Sequence, residues 1–78
     1  MSGKTFCITG KLVKFDNRNA LVEEIEKRGG KVVSSVTAKT NYLITNDKTS
    51  GSSKNRAAEK FGTKIISEDE FIADDFDN

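Results

Sequence analysis

The chain has no histidine. That one absence removes the commonest general base, the Ser-His catalytic triad and most zinc sites together. It has a single cysteine, Cys7, set inside an apolar run. A lone cysteine closes no internal disulfide, which fits a reducing compartment. With no histidine to activate it and a place expected in the core, Cys7 reads as a buried structural thiol. No apolar run reaches membrane-spanning length and no signal-peptide pattern is present, so a soluble, unexported domain with no membrane partner is expected. The familiar phosphate and calcium signatures are missing too. Gly10-Lys11 does not sit in G-x-x-x-x-G-K, no G-x-G-x-x-G occurs, and the late acids lack the spacing of a calcium loop, so no metal site is expected. Seventy-eight residues make one domain, with too little interior for a substrate cavity beside a core. Together these absences point to a domain that binds rather than catalyses and carries no cofactor.

The formal net charge of +1 hides an uneven distribution. All thirteen Lys and Arg lie between Lys4 and Lys64, whereas six of the twelve acids follow Ser67. Thirteen cations against six acids leave residues 1–67 at +7, and the remainder at −6. A basic body suits an anionic partner such as phosphate or nucleic acid. A solvated surface followed by an acidic last helix explains the same numbers, and charge alone does not separate the two.

Apolar patterning gives the order β-α-β-β-α-β-α. Lys4 to Thr9 reads as a strand, and Asp16 or Asn17 caps a helix running to about Arg28. With Asp16 as the cap, Phe15 and Ala20 stand as a hydrophobic staple. Glu23–Lys27 and Glu24–Arg28 are favourable i,i+4 pairs, and Gly29-Gly30 ends the helix. Lys31 to Val36 is a second strand and Asn41 to Thr45 a third, whose Tyr42-Leu43-Ile44 run suits burial on both faces. Asn46 to Ser53, with no apolar residue, reads as a mobile linker. A helix from about Lys54 to Phe61 follows, with Ala57, Ala58 and Phe61 as its apolar face and Gly62 as its stop. Thr63 to Ser67 is a fourth strand. Ser67 and Glu70 form a capping box opening a last helix, in which Glu68 and Asp69 complement the dipole. Phe71, Ile72 and Phe76 are its core candidates, and 74–78 is an acidic end expected to fray.

Strands separated by helices predict an α/β fold with a parallel sheet and helices on both faces. Right-handed crossovers, with the first two helices on opposite faces, give strand order 2-1-3-4. The crevice beyond strands one and three is then the switch point where open α/β sheets bind ligands. Thr9-Gly10 arrives there from strand one, and Asn46 to Lys54 from strand three, opening the second helix with Ser52-Ser53-Lys54. Hydroxyls, free helix N-terminal amides and a cation suit one phosphate, with Arg18 at the flank. Taken singly, each feature has a plain explanation: a turn at Thr9-Gly10, a helix cap at Ser52 or Ser53, a solvated Lys54. Their convergence on one point favours a site.

Several stretches carry a family resemblance: KTFCITGKL, EKRGGKVVSSVTAKTNYLIT, GSSKNRAAEKFG and TKIISEDEF. Along nearly its whole length the chain resembles a BRCT domain, most of all the C-terminal BRCT domain of bacterial NAD-dependent DNA ligases. The resemblance implies one domain over 1–78, with a four-stranded parallel sheet, the first and third helices on one face and the second on the other. It implies phosphate recognition by Thr9, Gly10 and Lys54, with Ser52 as a further hydroxyl and Arg18 for a DNA 5′-phosphate. The expected role is non-catalytic: DNA binding, to backbone or to nicked or 5′-phosphorylated ends, in a replication or repair protein. The ligase chemistry would lie in other domains of that protein, which are further partners. The alternative is a protein-interaction module that takes a phosphoprotein or a partner domain. Many family members carry a Trp in the last helix, and this chain has none. That departure, and the single repeat, speak against the tandem phosphopeptide-reading class. A ligase origin implies a cytoplasmic, nucleoid-associated bacterial protein; a eukaryotic origin implies the nucleus.

Overall fold

The computed structural model describes residues 3–47 and 51–73. In chain order they form β1 (Thr5–Ile8), α1 (Arg18–Lys27), β2 (Lys31–Val33), β3 (Tyr42–Ile44), α2 (Ser53–Phe61), β4 (Lys64–Ile66) and α3 (Glu68–Ala73). The sheet order is β2-β1-β3-β4, with every neighbouring pair parallel. This is the α/β architecture and strand order expected from the sequence. The register sets Thr5 against Lys31 on one side of β1 and Phe6 against Tyr42 on the other.

Side-chain alternation along β1 explains the layers, because successive residues of a strand face opposite sides. Phe6 and Ile8 join Leu21 and Ile25 of α1, Tyr42, Ile44, Ile66 and Phe71 of α3 in one cluster. Cys7 faces the other way and packs with Leu43, Val36 and Ala58 of α2. The first and third helices therefore share one face and α2 covers the other. Phe6 is the hub of the larger cluster, stacked on Tyr42 at 5.1 Å between ring centroids and meeting the edge of Phe71 at 5.8 Å.

Local chemistry sets the element ends. Asn17 is the N-cap of α1, its side chain accepting from the Ala20 amide at 2.9 Å. Asp16 is not the cap, so the Phe15–Ala20 staple does not arise. Of the two expected ion pairs, Glu24–Arg28 closes at 3.6 Å, while Glu23–Lys27 is not among the ion pairs of the described residues. Gly62 caps α2 with φ +71, a backbone conformation that glycine adopts without the clash a Cβ brings. The capping box of α3 is formed: the Ser67 amide donates to Glu70 and the Glu70 amide to Ser67.

Three expectations are corrected. β2 ends at Val33 rather than Val36, because the chain then leaves the sheet edge and turns Val36 into the cluster beneath α2. Phe61 is not a core residue; it is the last residue of α2 and 43% exposed, whereas the sheet-facing positions hold Asn55 and Ala58. Ile72 is 45% exposed, because Glu68 and Phe71 fill the buried positions of a helix only six residues long. Residues 48–50 of the expected linker, Phe76 and the expected frayed end lie outside the described residues.

Candidate functional site

At the C-terminal edge of the sheet, β1 leads to α1 on one face and β3 to α2 on the other. The two connections part above the central strands and leave an open cleft of about 400 Å³. Its walls include Thr9, Gly10 and Lys11 from the first connection, Thr45, Asn46 and Asp47 from the second, and Ser52 and Asn55 from the start of α2. Strand order places the cleft where the sequence predicted it.

Thr9 is the last residue tied to the sheet, its amide donating to the Ile44 carbonyl at 3.1 Å. Gly10 then turns with φ +81, and a Cβ at this position would come within 3.2 Å of the Thr45 hydroxyl. Glycine is thus required twice over, for the turn and for the close approach of the connections. Among the described residues nothing accepts the Gly10 amide, which is left to an incoming acceptor.

Ser52 is the N-cap of α2. Its oxygen accepts from the Asn55 amide at 3.2 Å, and its proton goes to Asn55 Oδ1 at 2.9 Å. Donation from this hydroxyl to an anion therefore requires release of Asn55. The amides of Ser53 and Lys54, which head the helix, have no acceptor among the described residues, as expected for a helix N-terminus. Ser53 is exposed and, like Lys54 and Arg18, is not among the residues lining the cleft. Both cations act on Cys7 in the core beneath α2. Burial pushes the Cys7 thiol up from its ordinary value, and the charges of Lys54 and Arg18 both act to bring it down. Of the expected residues, the structure thus brings together Thr9, Gly10 and Ser52 in the wall, and leaves Ser53, Lys54 and Arg18 outside the lining.

Several residues of the cleft were not singled out as site residues. Asn55, 1% exposed on α2, ties the second connection down by donating to the Asp47 carbonyl at 3.0 Å. Thr45 follows β3 as Thr9 follows β1, and its amide bonds to Ile66 as that of Thr9 bonds to Ile44; the parallel was visible in the sequence. Asp47 contributes an acid to the wall.

The largest omission is Glu68. It is fully buried, and its carboxylate accepts from three successive loop amides: Val13 at 2.6 Å, Lys14 at 2.9 Å and Phe15 at 3.1 Å. Asn46 also donates to it, and donates to the Lys11 carbonyl at 3.3 Å. One carboxylate thereby holds both connections that form the cleft. Its burial acts to raise its pKa, but the hydrogen bonds from Val13, Asn46, Lys14 and Phe15 outweigh that and hold it below the usual carboxylate value.

The model of the BRCA1 C Terminus (BRCT) domain matches residues 1–73. The chain belongs to the BRCT family. Among curated relatives, this BRCT domain is 57% identical over 72 residues to the DNA ligase of Lachnoclostridium phytofermentans, an alignment covering 92% of the chain and 11% of the ligase. It is 51% identical over 67 residues to the DNA ligase of Ruminiclostridium cellulolyticum, covering 86% and 10%, and 49% identical over 72 residues to that of Christiangramia forsetii, covering 92% and 10%. The BRCT domain thus spans about a tenth of the length of the curated relatives it matches. Among the described residues, no helix is long and apolar enough to cross a membrane.

Proposed function

We propose that the chain, as a single domain over 1–78, is a non-catalytic DNA-binding module of a DNA ligase of the NAD-dependent type. It holds DNA by its backbone or by a 5′-phosphate at a nick, while the ligation chemistry belongs to other domains of the parent protein. The phosphate sits against Thr9 and the Gly10 amide on one side and the head of α2 on the other. Ser52 and Ser53 bound it there, and Lys54 and Arg18 supply positive charge. The observation that carries this reading is a cleft walled by Gly10, whose amide has no acceptor among the described residues, and by Ser52, the N-cap of the helix that the Ser53 and Lys54 amides head. Such groups gain most from an anion, since hydrogen bonds to a charged acceptor are the stronger kind. No cofactor is required for this role.

Fluorescence titration of nicked duplex with and without a 5′-phosphate tests it. Lys54→Ala and Thr9→Ala should each weaken binding to the phosphorylated duplex by about tenfold, on the order of 1.4 kcal/mol, with a loss that changes with salt. Equal affinity of wild type and Lys54→Ala would sink the reading. A phosphopeptide that binds while the duplex is ignored would replace it with the protein-interaction reading.

A further inference from the structure

A second recess lies on the same face of the sheet as α2. That helix lies mainly over β3 and β4, and the outer part of β1 and β2 on this face borders the connection between β2 and β3. The groove between them is about 340 Å³; Lys31, Lys39 and the hydroxyl residues Thr5, Ser34, Ser35, Thr37 and Thr40 line it, with Val33. Two features distinguish it from ordinary surface. Its lining holds two lysines and five hydroxyl residues but no acid. Neither Lys31 nor Lys39 pairs with a carboxylate among the described residues. The groove is also built rather than loose. Asn41 accepts the Thr5 amide at 2.7 Å, Thr40 accepts the Thr37 amide at 3.0 Å, and the Thr40 hydroxyl donates to the Ser35 carbonyl at 3.3 Å.

We propose that this groove is a second phosphate contact, which takes the sugar-phosphate backbone of the DNA whose phosphate end occupies the first cleft. The inference rests on the DNA-binding reading above. By strand alternation, Thr5 at the start of β1 and Thr9 just past its end lie on one side, four residues apart, about 13 Å at roughly 3.3 Å per residue. Because the backbone winds, successive phosphates of one strand lie farther apart than the roughly 3.4 Å rise along the axis, so this separation spans only a few nucleotides. Two anion sites at such a separation suit a polymer with repeated phosphates. A peptide bearing one phosphate fills only one of them. Contacts of this kind position the nucleic acid and carry no base preference.

The test is the salt dependence of duplex binding by this 78-residue chain. Each phosphate neutralised adds about 0.9 to the slope of log K against log salt. Lys31→Gln/Lys39→Gln should lower the steepness of that slope by about 1 to 2, equally on duplexes with and without the 5′-phosphate. The same loss from Lys27→Gln/Lys60→Gln, two exposed lysines outside the groove, would show a general charge effect and overturn the proposal. An unchanged slope in Lys31→Gln/Lys39→Gln would overturn it as well. Both variants replace exposed side chains, and an unchanged melting temperature confirms that they fold. The first cleft is read separately: Lys54→Ala erases the preference for the 5′-phosphate. If Lys54→Ala leaves that preference intact while Lys31→Gln/Lys39→Gln lowers the slope, the cleft reading fails and the groove stands.

Discussion

Asn46 and Glu68 hold each other at both ends. The Glu68 amide donates to Asn46 Oδ1 at 3.2 Å, and Asn46 Nδ2 donates back to the Glu68 carboxylate. The same carboxylate gathers the amides of Val13, Lys14 and Phe15. A residue at the start of the last helix thereby fixes the loop that follows the first strand and the loop that follows the third.

Glu68→Ala removes the acceptor from several charge-assisted hydrogen bonds at once, and should cost about 2–4 kcal/mol of stability. Glu68→Gln keeps the shape but turns an amide group toward amide donors, and should also destabilise. Urea denaturation followed by circular dichroism measures both. An unchanged midpoint for Glu68→Gln would show that the negative charge is not used.

The pH dependence has a definite sign. Glu68 titrates lower in the folded protein than in the unfolded chain, where a glutamate has a pKa of about 4.3. Its contribution is therefore full above that value and is lost as pH falls through the lower, folded-state value. Thermal melting should show stability falling below about pH 4, and the fall should be smaller in Glu68→Gln. Identical acid profiles for the two proteins would contradict this.

Gly30 is required by packing. A Cβ at this position would lie 2.8 Å from Ile25 Cγ2, 2.9 Å from Phe6 Cε1 and 3.2 Å from the Ile25 carbonyl. Both side chains are fully buried in the main cluster. Gly30→Ala should therefore cost about 1–3 kcal/mol through overpacking, read as a lowered melting temperature. A neutral outcome would mean that the hub of the core yields more easily than its packing implies.

Cys7 should resist thiol reagents in the folded protein. It is fully buried, and burial raises its pKa despite the opposing charges of Lys54 and Arg18. A colorimetric thiol assay should react slowly in buffer and at once in denaturant. Fast labelling of the folded chain would contradict the core assignment.

Much of the fold could be read from the sequence because it rests on short-range signals. Glycines after helices, the Ser67–Glu70 box and the Tyr42-Leu43-Ile44 run each act within a few residues. Handedness did the rest for the strand order. What escaped depends on distance along the chain. Glu68 reads locally as a charge complementing a helix dipole, but its partners lie 53 to 55 residues earlier. Asn55 looked like a polar helix residue, although it is buried and bonded to Asp47. Phe61 and Ile72 failed for the converse reason: apolar periodicity marks a face, but not where the neighbouring layer ends. In the candidate cleft, Thr9, Gly10 and Ser52 were legible as strand and helix ends. Asn46 was expected at the crevice as part of the connection after strand three, but its bonds to Lys11 and Glu68 were not, and Thr45 was missed because its place follows from which strand lies alongside.

The central position of β1 has a kinetic consequence. Its partners are Lys31–Val33 on one side and Tyr42–Ile44 on the other, so β1 has no partner until the chain has been made through Val33, and none on its second side until Ile44. Each pairing closes a long loop before it gains a rung, which is the slow route in folding. During synthesis, Thr5–Ile8 is an apolar segment with nothing to lie against, and this interval is when the chain is most open to association with other unfolded chains.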